Sequence, residues 1–370
     1  MMIGLPRLGL SRRIRRSIAL GTTALAASLA LTACGGSSSA DSGGGRLKVV
    51  ASFYPMEFLA QQIGKEHVAV TDLTAAGVEP HDLELTAKQV GTVQKADAII
   101  YLKGLQPTVD QAVAQSSSKH KIDATAASPL VDHHLDEGTE AADGAHGADG
   151  AHGADGHKHE DAAGDPHIWL DPTRYAAIAK SVGDEFAKAD PAHAEDYRKN
   201  TDELVTRLTA LDQEFRDGLK DARTRTFVTS HAAFGYLADH YGLTQVAING
   251  VDPESEPTPA RLAAVQKAAR DNGVTTVFFE TLVSPKLADT VAKDLGLKTA
   301  VLDPLEGVKD PSKDDYLTVM KQNLANLQAA LGAPAGTAGT AGTAPAGTAP
   351  TTPAGTAPAA ADATTPAPAN

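Results

Sequence analysis

The 370-residue chain has one cysteine, Cys34, so no disulfide can form within it and the folded part must be held by its buried core. Cationic side chains are scarce, 33 Lys and Arg against 46 Asp and Glu, for a net charge of −13. Five of the arginines (Arg7, Arg12, Arg13, Arg15 and Arg16) lie in the first 33 residues with no acid among them, so the remainder carries −18. That sign does not suit a phosphate backbone and excludes nucleic acid as a partner. The apolar run from Ile18 to Leu31 falls short of the ~20 residues a membrane-spanning helix needs. No HExxH motif occurs, which removes the helix-borne zinc-hydrolase pattern, and no GxxxxGK[ST], which removes a P-loop ATPase.

What is present at the ends is processing sequence. A basic stretch, then the apolar run, then "LTAC" at Leu31–Cys34 has the form of a signal peptide ending in a bacterial lipobox. Residues 1–33 are thus expected to be removed and Cys34 to carry lipid. "GGSSSADSGGG", Gly35–Gly45, reads as a tether, so that 34–45 forms a flexible link between lipid and domain. From Ala333 to Asn370 only Ala, Gly, Thr, Pro, one Asp and the final Asn occur, and such a segment has too little apolar surface to offset its chain entropy. Residues 333–370 are expected to be a disordered tail.

Between them, short apolar runs alternate with helical segments. Strands are expected at 47–52, 68–73, 97–102, 225–230, 274–280 and 298–303, which argues for parallel sheets covered on both faces. One helix is longer than the rest. With Asp190 as cap and Pro191 as first residue, no breaker appears before Gly218, and Tyr197, Leu204, Leu208, Leu211, Phe215 and Leu219 draw one apolar stripe. The simplest α/β arrangement is two lobes, 46–189 and 222–332, joined by a linking helix at 190–221.

Four places carry metal-ligand chemistry. His81 in "GVEPHDLELT" follows a proline between a strand and a helix, where open α/β sheets place ligands. His167 in "GDPHIWLDP" precedes the only tryptophan, amid residues that look buried. His231 follows the strand at 225–230. Asp303 and Glu306 follow the strand at 298–303, and Asp303 also suits a turn cap. Each residue has a plainer reading as a solvated or core side chain. Together, three imidazoles and one carboxylate are ligands that tetrahedral Zn²⁺ accepts.

Across Leu47–Leu331 the chain resembles the metal-binding family of ABC-transporter solute-binding proteins, through "EPHDLELT", "AIIYLKG", "DPHIWLDP", "DPAHAEDYRKN", "TSHAAFGYLADHYGL" and "LDPLEG" in order. The resemblance implies two α/β lobes on a rigid helix, with a divalent metal bound between them and handed to a membrane permease with a separate ATPase. It implies His81, His167 and His231 as ligands and Glu306 of the "PLE" motif as the fourth, with Asp303 as the alternative. Histidine at position 231, where the manganese branch carries glutamate, favours zinc. His133, His134, His146, His152, His157 and His159 fall in a Gly/Ala/Asp-rich loop, 133–163, that repeats "GAHGAD" and resembles the accessory metal loop of zinc-uptake proteins. The chain is accordingly expected to be a monomeric, lipid-anchored zinc-binding protein on the outer face of a bacterial membrane, and not an enzyme. A manganese carrier, a surface zinc buffer or adhesin, and a zinc hydrolase are the competing readings.

Overall fold

Eight four- and five-residue strands, most of them cut from Val/Ile/Phe-rich stretches, form two separate sheets in the computed structural model, which describes residues 45–133, 164–310 and 313–333. The expected leader, most of the tether, the loop from His134 to residue 163 and the tail beyond 333 lie outside those residues. Cys34, His134, His146, His152, His157 and His159 lie outside with them.

The first half runs β1 (Leu47–Ala51), α1 (Tyr54–Gly64), β2 (Val68–Asp72), α2 (Ala87–Val93), β3 (Ala98–Tyr101), α3 (Pro107–Gln115), β4 (His120–Asp123) and a single turn, α4 (Ala124–Ala127). Two long helices follow, α5 (Pro172–Ala189) and α6 (Ala194–Leu219). The second half repeats the alternation: β5 (Thr226–Thr229), α7 (Gly235–Tyr241), β6 (Thr244–Ala247), α8 (Pro259–Asp271), β7 (Thr276–Phe279), α9 (Lys286–Leu295), β8 (Lys298–Val301) and α10 (Tyr316–Leu331). Both sheets are wholly parallel and share one strand order, β2-β1-β3-β4 and β6-β5-β7-β8. Each therefore reverses direction of travel beside its first strand, and the loops at the carboxyl ends of the strands flank that switch point.

Six strands fall within the expected ranges. β4 ("HKID") and β6 ("TQVA") were not expected. Both are short, polar edge strands, and an edge strand shows neither a continuous apolar run nor clean alternation.

The long helix is present with a different start. Pro191–His193 is a 3₁₀ turn, and the α-helix proper begins at Ala194, 26 residues and about 39 Å long at ~1.5 Å per residue. Asp190 closes α5 instead of capping α6, and its carboxylate accepts from the His193 ring and the Tyr197 hydroxyl. The stripe Tyr197, Leu204, Leu208, Leu211, Phe215 and Leu219 is buried throughout. It packs on α1 and α5 from the first half and on α7 and α10 from the second. At the α5–α6 contact a Cβ on Gly183 would sit 2.1 Å from Thr201 Oγ1, so only glycine permits this approach.

One buried cluster runs through both halves, from Val49 and Phe53 through Trp169, Tyr175 and Leu208 to Phe227, Tyr316 and Leu327. The outer face of each sheet has a smaller cluster of its own, around Ile99 and Val113 in the first half and around Val277 and Val291 in the second. The two sheets thus share a core on their inner side, which holds the loops between them in register.

Candidate metal site

Each of the four candidate ligands sits on a segment that the local sequence makes stiff. His81 lies in the loop leaving β2, after Pro80, and its backbone N–H donates to Glu79 Oε1 at 2.9 Å. His167 follows Pro166 and starts a 3₁₀ turn of three fully buried residues, Ile168, Trp169 and Leu170. His231 follows β5 after Ser230 and lies four residues before α7, in the turn between them. Glu306 follows β8 through Pro304 and Leu305. The φ of Leu305 is +58°, a left-handed conformation that side chains other than glycine rarely adopt.

These four side chains converge. His81 Nε2, His167 Nε2 and His231 Nε2 lie 3.2, 3.1 and 3.3 Å from one atom, Glu306 Oε1, and the Nε2 atoms of His167 and His231 are 3.4 Å apart. One ligand atom from each residue falls within 4.8 Å of all the others. For metal bonds of about 2.0–2.1 Å, the edge of a ligand tetrahedron is roughly 3.3–3.4 Å. Four of the six edges are therefore near the length that zinc requires before any ion arrives. His167, His231 and Glu306 are fully buried, and His81 is 11 % exposed, the one of the four open to solvent.

Asp303 stands outside the group. Its carboxylate accepts from Thr281 Oγ1 at 2.7 Å and from the Leu305 backbone N–H at 2.8 Å, and Asn323 pairs with its backbone. It shapes the turn that presents Glu306. Trp169 braces the same turn from the first half: its indole N–H donates to the Pro304 carbonyl at 2.7 Å, and Tyr316 donates to the Trp169 carbonyl at 2.6 Å.

Two further acids set the orientation of the imidazoles. Asp165 Oδ1 lies 2.7 Å from His167 Nδ1 and accepts the His167 backbone N–H at 2.9 Å. Glu280 Oε1 lies 2.6 Å from His231 Nδ1 and also takes the Ser230 hydroxyl. A proton kept on Nδ1 leaves the Nε2 lone pair facing the centre, as buried carboxylates do for zinc-bound histidines. Neither acid stood out in the sequence. The available signals were an acid closing the apolar strand "VTTVFFE" and an acid two residues before His167 in "DPH".

The electrostatics follow from this packing of charge. Burial alone would lower the His231 pKa, but the charges of Glu280 and then Glu306 outweigh it and push it up to about 10. His167 is likewise raised: burial opposes, and Asp165 and Glu306 prevail. Burial would raise Glu306, yet the positive charge on His231 and hydrogen bonds from all three imidazoles hold it well below the usual carboxylate range. Among the described residues, Glu306 Oε2 and Glu280 Oε2 are buried without a hydrogen-bond partner. The cluster is a preformed nest of negative charge whose balance comes from imidazolium protons, which a divalent cation can displace.

His133, expected among the loop ligands, has other surroundings. Its Nδ1 lies 2.7 Å from Asp165 Oδ2, its Nε2 lies 3.1 Å from Asp239 Oδ2, and its ring stands edge-on to Tyr236. With both nitrogens engaged it sits beside the carboxylate that holds His167. His240 is structural, bridging Asp171 and Asp212.

Comparison with known proteins matches this arrangement to one family. The family model described as "ZnuA: Zinc-uptake complex component A periplasmic" matches residues 49–330. The chain is 39 % identical over 310 residues to "High-affinity zinc uptake system protein ZnuA" of Bacillus subtilis, covering 82 % of this chain and 94 % of that one. It is 38 % identical over 296 residues to "Zinc-binding protein AdcA" of Streptococcus pyogenes, covering 77 % of this chain but only 56 % of that longer relative. Among solved structures, the Zn(II)-bound ZnuA-like domain of Streptococcus pneumoniae AdcA superposes with a TM-score of 0.62 at 31 % identity, over 78 % of this chain and 99 % of that one.

Proposed function

This chain belongs to the zinc-uptake complex component A family, and we propose from that premise that it captures Zn²⁺ between its two halves and delivers it to an ABC importer. One observation carries the reading: three Nε2 atoms lie within 3.3 Å of a single carboxylate oxygen, at the edge lengths of a zinc tetrahedron. His81, His167, His231 and Glu306 are the ligands, and Asp303 is a turn residue. Imidazole at three positions suits zinc better than the harder Mn²⁺.

The chain acts as a carrier and not as an enzyme. A catalytic zinc site keeps a coordination position for water and a nearby general base, whereas here the fourth position is filled by Glu306. The two lobes are residues 46–189 and 222–332, with 190–221 as the connecting helix. Cys34 carries the lipid that holds the monomeric protein at the outer face of the membrane. The permease and the ATPase are separate chains. His134, His146, His152, His157 and His159 form an accessory metal segment that raises local zinc concentration without contributing to the tight site.

The test is zinc titration calorimetry with metal analysis on the chain from Cys34 onward. Intact protein, protein lacking 134–163, and a His81→Ala, His167→Ala, His231→Ala triple variant are compared. One tight zinc per chain that survives the deletion and vanishes in the triple variant is expected. Tight binding that follows residues 134–163 would overturn the assignment.

A further inference from the structure

A second acidic feature adjoins the site without belonging to it. A cavity of about 170 Å³ lies between the loop leaving β2 and the loop after β8. Its walls include Tyr54, Glu57, Asp72 and Thr74 on one side and Glu306 and Val308 on the other. Asp72 ends β2, and its Oδ1 accepts the Thr74 backbone N–H at 3.1 Å. Glu57 rises from α1, with Oε1 accepting from Gln61 at 2.8 Å. The two carboxyl groups hydrogen-bond to each other. Among the described residues no Lys, Arg or His pairs with either.

Two half-buried acids without a cation are a costly arrangement, because burial and the charge of Glu57 both oppose the ionisation of Asp72. Burial first, and then the charge of Glu57, pushes Asp72 up to about 8, and burial raises Glu57 as well. At neutral pH the pair therefore keeps a proton in the absence of any other cation. An independent observation lies on the opposite wall. Glu306 is 1 % exposed, uses Oε1 for all three histidines, and among the described residues has no hydrogen-bond partner for Oε2. One residue is thus shared by the histidine cluster and the cavity. A water needs roughly 10–15 Å³ of such space, so the cavity has room for an ion that still carries its hydration shell.

We propose that this cavity is an entry subsite for a hydrated divalent cation, held by Asp72 and Glu57 beside Glu306 before it sheds its water to the three histidines. The inference rests on the reading of the histidine cluster as the zinc site. On arrival, the cation replaces the shared proton, which leaves to solvent. The ion then passes to Glu306, the ligand common to both spaces. A subsite on the path lowers the barrier in both directions. It alters how fast zinc enters and leaves, and leaves the equilibrium set by the four ligands.

The test uses the full mature chain carrying Asp72→Asn with Glu57→Gln, and Asp72→Asn alone should the pair fail to fold. Both substitutions keep shape and hydrogen-bond acceptors while removing charge. Zn²⁺ association is followed by stopped flow in 0.15 M salt, dissociation by transfer to an excess chelator, and affinity by competition. The expected result is a fall of roughly tenfold in both rate constants with Kd changed by less than about twofold. Glu66→Gln with Glu195→Gln, which removes two exposed charges away from the cavity, should leave both rates as in wild type. Unchanged rates in the cavity variant would overturn the subsite. So would a slower association with unchanged dissociation, since that pattern is general electrostatic attraction. Either failure, in a wild type that still binds one zinc tightly, leaves the proposed function standing. A wild type without tight zinc binding would overturn both.

Discussion

Replacing Glu280 by glutamine tests whether a residue that touches no metal sets the affinity of the site. Its carboxylate lies 2.6 Å from His231 Nδ1 and is 4 % exposed, so its charge is poorly screened. Two electrostatic effects of the substitution oppose each other. A zinc ion beyond the imidazole would sit roughly 6.5 Å from the carboxylate, and its attraction at an effective dielectric of ~20 is about 5 kcal/mol. The proton that zinc must displace from His231 sits closer, at roughly 4 Å, and its attraction by the same rule is about 4 kcal/mol. These nearly cancel.

What remains is orientation. Losing the charged partner that orients a ligating imidazole typically costs 10- to 100-fold in metal affinity, so Glu280→Gln should weaken zinc binding by about 1.4–2.7 kcal/mol. At free zinc a thousandfold above the wild-type Kd, binding stabilises the fold by about 4.1 kcal/mol. For a domain of this size about 2 °C accompanies each kcal/mol, so the zinc-induced rise in Tm should shrink by about 3–5 °C. The zinc-free Tm will also fall, because a buried ion pair is broken, which is why the difference between zinc-loaded and zinc-free protein is the quantity to read. A variant that binds zinc within twofold of wild type would refute the claim that Glu280 orients His231.

Trp169→Phe removes the donor to the buried Pro304 carbonyl and shrinks a fully buried ring. It should cost about 2–4 kcal/mol in denaturant titration and weaken zinc binding through the loosened Glu306 turn. Gly183→Ala places a Cβ against Thr201 Oγ1, which is itself held by the Tyr197 carbonyl at 2.7 Å. The overpacking, about 1–3 kcal/mol, should exceed the ~1 kcal/mol helix-propensity gain, and adding Thr201→Ala should restore most of the lost Tm. Asp72 has a folded pKa of about 8, above its unfolded value, so the folded state holds the extra proton between roughly pH 4 and 8 and loses stability as pH rises across that window. Asp72→Asn should therefore melt higher than wild type at pH 8.5, with the gap closing toward pH 4.5. A gap that does not vary with pH would contradict the shared proton.

The class of fold was legible because burial leaves a direct mark on sequence. Strands covered on both faces require continuous apolar runs such as "LKVVAS" and "VTTVFFE", and the stripe from Tyr197 to Leu219 can serve only a helix with one buried side. The edge strands β4 and β6 left no such mark, since backbone pairing to a neighbour, and not their own side chains, makes them strands. Nor did the 3₁₀ start of the long helix, which depends on Asp190 accepting from His193 and Tyr197.

The candidate site divides in the same way. Ligand chemistry makes His81, His167, His231 and the Asp303–Glu306 turn candidates, since imidazole and carboxylate are what zinc accepts, and it is the family resemblance that singles them out before any coordinates are known. Which carboxylate faces the histidines could be decided only in three dimensions, where Thr281 and the Leu305 backbone occupy Asp303 and the left-handed Leu305 turns Glu306 inward. Asp165, Glu280, Glu57 and Asp72 acquire their roles from partners up to 49 residues away, and chain separation carries no signal for that. Sequence determined which atoms could bind a metal. Tertiary packing decided which of them meet, and at what charge.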